Sequence, residues 1–185
     1  MIRCRLVMRL SLWLVLTFGV YSVSGLAQVN SNVSNATLTA SVLQSIAVSV
    51  SASTVSFSLL PGSAVIGTPT VPVTTSWNLN PGLVASVKLY AYFSSSTAAL
   101  TEGADNIPSS DVLASFNLGS FTALTQTGPL GAAGASLLLF TESIGGGNKI
   151  KTRNDNVDVK IDLTGLSNLP TGTYVGTLQL QAQAL

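Results

Sequence analysis

Glu102 and Glu142 are the only glutamates of this chain, and Asp105, Asp111, Asp155, Asp158 and Asp162 complete its acids. Two carboxyl groups facing each other across a bond are the least equipment for hydrolysis by general acid and base, one kept protonated and the other ionised. Nothing in the spacing pairs these acids. Asp158 and Asp162 share the outward parity of one alternating stretch, where a carboxylate is simply solvated. The chain has no histidine and its only cysteine is Cys4. Ser/His/Asp and Cys/His nucleophiles and the usual zinc ligands therefore have no material to be built from. A protein without catalytic activity is the expectation.

Other groupings offer binding chemistry. Asn154-Asp155-Asn156-Val157-Asp158 and residues 102–106 gather side-chain oxygens of the kind calcium accepts. Neither has EF-hand spacing, and Lys149, Lys151 and Arg153 beside the first oppose a cation. A plain turn is expected there, and no metal or cofactor is assigned. Gly145-Gly146-Gly147-Asn148-Lys149 lacks the G-x-x-x-x-G-K-[ST] spacing of a phosphate loop. Leu169-Pro170-Thr171-Gly172-Thr173 falls one residue short of the sortase signal Leu-Pro-x-Thr-Gly and reads as a Pro-x-Gly turn entering a strand. Trp77, Tyr90 and Tyr92 are the aromatic group able to stack on a sugar. Tyr90 and Tyr92 are expected in the core, so Trp77 is the candidate ligand platform and carbohydrate the alternative partner.

What positions these residues begins with a segment to set aside. Arg3, Arg5 and Arg9 precede an apolar run from Leu10 to Val20, and Gly25-Leu26-Ala27 offers small residues for cleavage. Residues 1–27 are thus expected to be a secretory signal peptide. The run is shorter than the roughly 20 residues a bilayer span needs, so no membrane span is expected after cleavage before Gln28. The 158 residues that remain of 185 suit one domain with a proper core. Cys4 leaves with the signal, so packing and sheet hydrogen bonds must hold the domain without a disulfide. Of 8 basic residues 5 remain against 7 acidic ones, a net charge of −2, which gives nucleic acid no basic patch. Between Gln28 and Val87 there is no charged residue at all, although the chain is 46% hydrophobic. That combination is a folded, weakly charged surface prone to association, the opposite of a disordered chain.

The elements follow from apolar periodicity. Residues 28–35 form a polar, flexible leader, and residues 36–185 one domain. Ala36, Leu38, Ala40 and Val42, then Ile46, Val48, Val50 and Ala52, keep one parity and predict either two strands bent at Gln44 or one long ribbon. At Ser53-Thr54 the parity flips to Val55, Phe57 and Leu59, the mark of a bulge or turn. Val71, Val73, Thr75, Trp77 and Leu79 alternate next; Asn80-Pro81-Gly82 turns; then Val87, Leu89, Ala91 and Phe93 form a strand apolar on both faces through Tyr90 and Tyr92. This pattern predicts a hairpin over 77–93 whose second strand is central in its sheet. Residues 101–108 look like a loop, 109–114 like a single capped helical turn, and 115–125 like a strand pair. A buried strand at 136–142 ends in the glycine loop. Val157, Val159, Ile161 and Leu163 then make a strand with one wet face. The stretch 174–185 closes the chain, with Tyr174, Leu178 and Leu180 on its apolar face and Gln179, Gln181 and Gln183 opposite. About eight strands and no helical period of ten or more residues predict an all-β antiparallel sandwich.

Pro170-Thr171-Gly172-Thr173-Tyr174 followed by alternation resembles the closing strand of secreted pilin-like sandwiches, the chaperone-usher fimbrial subunits and the spore coat protein U type. The run over 36–52 resembles their N-terminal segment. The likeness implies an immunoglobulin-like or pilin-like fold and a first segment that completes a neighbour's sheet by strand addition. The paired cysteines usual in fimbrial subunits are missing, and Ala184 stands where those subunits carry an aromatic residue. Independently of the likeness, the stretch 174–185 carries no charge or proline to block pairing at an edge. Leu38, Val42, Ile46 and Val48 on one side and Tyr174, Leu178 and Leu180 on the other are therefore the candidate strand-exchange residues. The expectation is an exported structural protein, secreted, periplasmic or at the cell surface, able to form a homo-oligomer or surface assembly. A secreted carbohydrate- or ligand-binding module is the alternative.

Overall fold

The computed structural model describes residues 33–52 and 54–185, so the expected signal peptide and most of the leader lie outside the described residues. The chain divides into two units, Met1–Ser41 and Val42–Leu185. In the first, residues 33–41 are exposed and carry no regular secondary structure. The second holds eleven strands: β1 (Ser45–Val50), β2 (Ala64–Ile66), β3 (Val71–Asn78), β4 (Ser86–Tyr92), β5 (Leu100–Glu102), β6 (Asp105–Ile107), β7 (Val112–Phe116), β8 (Thr122–Ala123), β9 (Ser136–Ser143), β10 (Ile150–Asp162) and β11 (Gln179–Ala184). Seven of them have five residues or more, and four short ones raise the number above the eight expected. No helix among the described residues is long and apolar enough to cross a membrane.

The fold is all-β and antiparallel. One sheet runs β1-β3-β10-β7-β8, with β2 also paired to β10; a second runs β11-β4-β9; β5 and β6 form a separate hairpin. Alternation explains the layering. Val73 and Trp77 of β3 and Val157 and Ile161 of β10 point into the same core as Val87 and Leu89 of β4 and Leu137 of β9. Two sheets sharing one core in this way are consistent with a β-sandwich. Full burial of a residue such as Leu89 or Ile161 stabilises by about 1.5–3 kcal/mol, so this shared core carries most of the stability.

The central position of β4, between β11 and β9, agrees with its two apolar faces. Its Leu89 and Ala91 enter the core. Tyr90 is buried on the opposite face, where the backbone at Gly128 and Gly131 lies against the rings of Tyr90 and Tyr92. Of the helical turn expected over 109–114 only the 3-10 turn Ser109–Asp111 is present, and the strand pair expected over 115–125 is β7–β8, whose first strand starts earlier, at Val112.

Four expectations are corrected. Residues 77–93 are no hairpin: β3 and β4 belong to different sheets, and the turn after Asn80 carries the chain across the core, where Trp77 and Leu89 bury their apolar faces together. The 36–52 ribbon keeps strand form only at β1, because β3 supplies partners from Asn78 to Val73 and nothing pairs with residues 33–44 among the described residues. Residues 154–158 are strand interior, since β3 pairs with β10 from Ile150 to Val157. Residues 101–108, read as a loop, contain the tight β5–β6 hairpin, with Gly103 at a φ of 58° between the strands.

Candidate functional site

The acids come first. Glu142, on β9, accepts hydrogen bonds from Lys151 Nζ at 2.6 Å, Asn148 Nδ2 at 2.9 Å and Arg153 Nη1 at 3.2 Å. Arg153 Nε also donates to Asp155 Oδ2 at 2.6 Å, and Asn117 Nδ2 donates to Asp155 Oδ1 at 2.7 Å. Lys151, Arg153 and Asp155 hold the odd, inward parity of β10, so the core face of that strand turns ionic towards Ile150. The Arg153 guanidinium lies 4.4 Å from the Phe140 ring centroid and 5.6 Å from that of Phe116. Burial pushes the Glu142 carboxyl up, but the hydrogen bonds from Lys151, Asn148 and Arg153 outweigh it and hold the group below the ordinary carboxylate value. This cluster ties the two sheets together and consumes Glu142 and Asp155 as ion-pair partners. Asp158 accepts from Thr70 Oγ1, and Asp162 from Lys160 and Thr164, on the outward face of β10. No group of three or more potential metal-ligating side chains exists among the described residues.

Trp77 is buried at 3% exposure, and its indole N–H donates to the Asn148 carbonyl at 2.8 Å. Its inward parity on β3 puts it in the core, so it offers no open ring for stacking on a sugar.

The strand-exchange candidates lie elsewhere. Val48, Tyr174, Leu178 and Leu180 line one apolar groove of about 960 Å³. Its floor is core: Val112 of β7 and Val159 and Ile161 of β10. One wall is residues 169–180, the other residues 54–61. The wall over 54–60 alternates between half-buried and exposed, whereas in the other only Leu169, Tyr174, Leu178 and Leu180 are half-buried, and neither belongs to a strand before Gln179. Val175 forms a single bridge to Thr101, and Ser56 one to Thr68. The groove is therefore bordered by two chain segments, residues 54–60 and 169–178, each held by a single β-bridge.

The terminal strand was expected to start at Tyr174, yet β11 starts at Gln179. Gly176 explains the delay. A Cβ there would overlap the Ala99 carbonyl oxygen, so the chain presses on the segment before β5 instead of running beside β4. Glycine within an alternating stretch is a sequence signal for such an approach. The opposite wall had its own signal in the parity flip before Val55. Beyond Gln179, β11 is an edge of its sheet and β1 an edge of the other.

The remaining candidates divide. Ile46 packs partly buried against the core. Leu38 and Val42 stand 94% and 83% exposed. No family model matches the chain, and neither the curated proteins nor the solved structures searched hold a match.

Proposed function

We propose that this is an exported structural protein of the cell surface or its surroundings, without catalytic activity, whose subunits associate by β-strand addition through the segment that precedes β1. The observation that carries the reading is the exposure of Leu38 and Val42 on an alternating, uncharged segment of a chain that also carries an apolar groove. Leaving such side chains in water forfeits burial worth about 1.5–3 kcal/mol each, and strand addition recovers it together with main-chain hydrogen bonds. The uncharged edges β1 and β11 and the half-paired groove walls are the places where an added strand finds bonding groups. The acids support no competing reading as a catalytic pair, because Glu142 is held among cations.

Size-exclusion chromatography with light scattering on the chain from Gln28 onward tests the proposal. Concentration-dependent oligomers that disappear when residues 28–43 are removed are expected. A monomer at millimolar concentration, unchanged by that deletion, refutes it.

A further inference from the structure

The groove has a feature that strand addition alone does not require. Its floor residues, Val112, Val159 and Ile161 among them, line the groove and yet are at most 7% exposed. What covers them on one side is the strap of residues 54–60. Val55, Phe57 and Leu59 of this strap point inward and pack against the core, while Thr54, Ser56 and Ser58 face solvent. The strap fits because residue 67 is glycine: a Cβ there would overlap Val55 Cγ1 and Phe57 Cε1.

The strap is weakly tied. Among the described residues, after Ser51, whose N–H donates to the Pro72 carbonyl at 3.2 Å, its next backbone bonds are the two of Ser56, to the Thr68 carbonyl at 2.8 Å and from the Thr68 N–H at 3.0 Å. The following ones belong to the turn at Leu60 and Ser63. A segment with so few backbone bonds and three half-buried side chains lies at the easily opened end of a domain's local stabilities. Gly67 itself is held independently, its N–H donating to the Val159 carbonyl at 2.8 Å, so the strap can lift without dismantling the sheet beneath it.

We infer that residues 54–60 are a gate over the groove: they cover its floor in the free subunit and swing outward to admit the incoming strand. The inference rests on the strand-addition reading for its occupant, residues 36–43 of a second copy. That segment carries Leu38 and Val42 in the parity that seats alternate side chains on an apolar floor. Moving Val55, Phe57 and Leu59 bares the side of the floor that the strap covers and opens it to these side chains. Lifting the strap also frees a second line of backbone donors and acceptors for pairing.

A disulfide lock tests the gate. Ser56 and Thr68 exchange both backbone hydrogen bonds, a pairing whose Cα separation of about 5.5 Å lies within disulfide range. In the chain from Gln28 onward, which holds no other cysteine, Ser56→Cys with Thr68→Cys closes the strap reversibly. Two readouts are followed, association by light scattering and fluorescence of the apolar-surface dye ANS. Oxidation is expected to slow association at least tenfold and to suppress dye binding, with both restored by reductant. Phe57→Ala, which removes the strap's largest anchor, is expected to raise both. Dye binding indifferent to the lock overturns the gate, as does association that proceeds equally in the oxidised form. Dye binding that responds to the lock in a chain that never associates upholds the gate and refutes strand addition.

Discussion

Replacing Glu142 with Gln tests whether the ionic end of the core holds the sheets together. The side chain is 15% exposed and receives three hydrogen bonds, two of them from cations. Gln keeps an oxygen for Asn148 but removes the charge opposite Lys151 and Arg153. Lys151 is 40% exposed, so its pair is screened and contributes roughly 0.2–1 kcal/mol. Arg153, held also by Asp155 and stacked on Phe140, is the better fixed partner, and a charge-assisted bond to it is worth about 1.5–3 kcal/mol before screening. A net loss of about 1–2 kcal/mol at pH 7 follows. For a domain of this size that lowers Tm by roughly 2–8 °C. The acid dependence gives the sharper reading. The folded state holds the Glu142 carboxyl below its ordinary value, so its contribution is complete above about pH 4.3 and is lost as pH falls through the folded value. Urea unfolding of both proteins at pH 7 and at pH 2.5 is the assay. The gap between them should be open at pH 7 and narrow in acid, as the Glu142 carboxyl takes up protons and comes to resemble the neutral Gln. Equal stability at pH 7, or a gap undiminished at pH 2.5, refutes the account.

Three further outcomes are expected. Thr75 is fully buried and its hydroxyl has no partner among the described residues, so Thr75→Val should stabilise by about 1 kcal/mol in chemical denaturation; a loss of stability contradicts an unsatisfied hydroxyl. Gly176→Ala must push the chain off the Ala99 carbonyl, which should lower Tm by several degrees and widen the groove, read as increased ANS fluorescence. Leu38→Asp and Val42→Asp should leave Tm unchanged, because both side chains already stand in water, while abolishing the concentration-dependent association seen by light scattering.

How much of this was legible in the sequence divides along physical lines. Parity is local, and it placed Val73, Trp77, Leu89, Val157 and Ile161 on inward faces as found. Partnership is not local. Trp77 and Leu89 read as two sides of a hairpin because a tight turn between alternating runs is the same signal whether the strands pair or cross the core. Lys151, Arg153 and Asp155 read as turn and flank because charge on an inward position breaks the apolar pattern. Only the meeting of Glu142, Phe140 and Phe116 across the sheets makes that position habitable. Trp77, the candidate ligand platform, shares that inward parity, and its burial together with the hydrogen bond from its indole N–H to the Asn148 carbonyl leaves the ring no open face for a ligand.

The groove shows the same division with a different consequence. Its walls were both marked in the sequence, one by Gly176 inside an alternating run and one by the parity flip ahead of Val55. Each mark records a segment that keeps the side-chain period of a strand while leaving the ladder. A β-strand can do that cheaply only where a missing partner is replaced by water or arrives later. Residues 54–60 and 172–178 do so on opposite sides of one apolar floor, and residues 36–43 keep the same period with no floor of their own among the described residues. One apolar alternation of the sequence, shared by three segments that lie outside the sheets or are held by a single bridge, is what makes strand addition the economical reading. It also confines the decisive substitutions to side chains whose removal the folded domain should not feel.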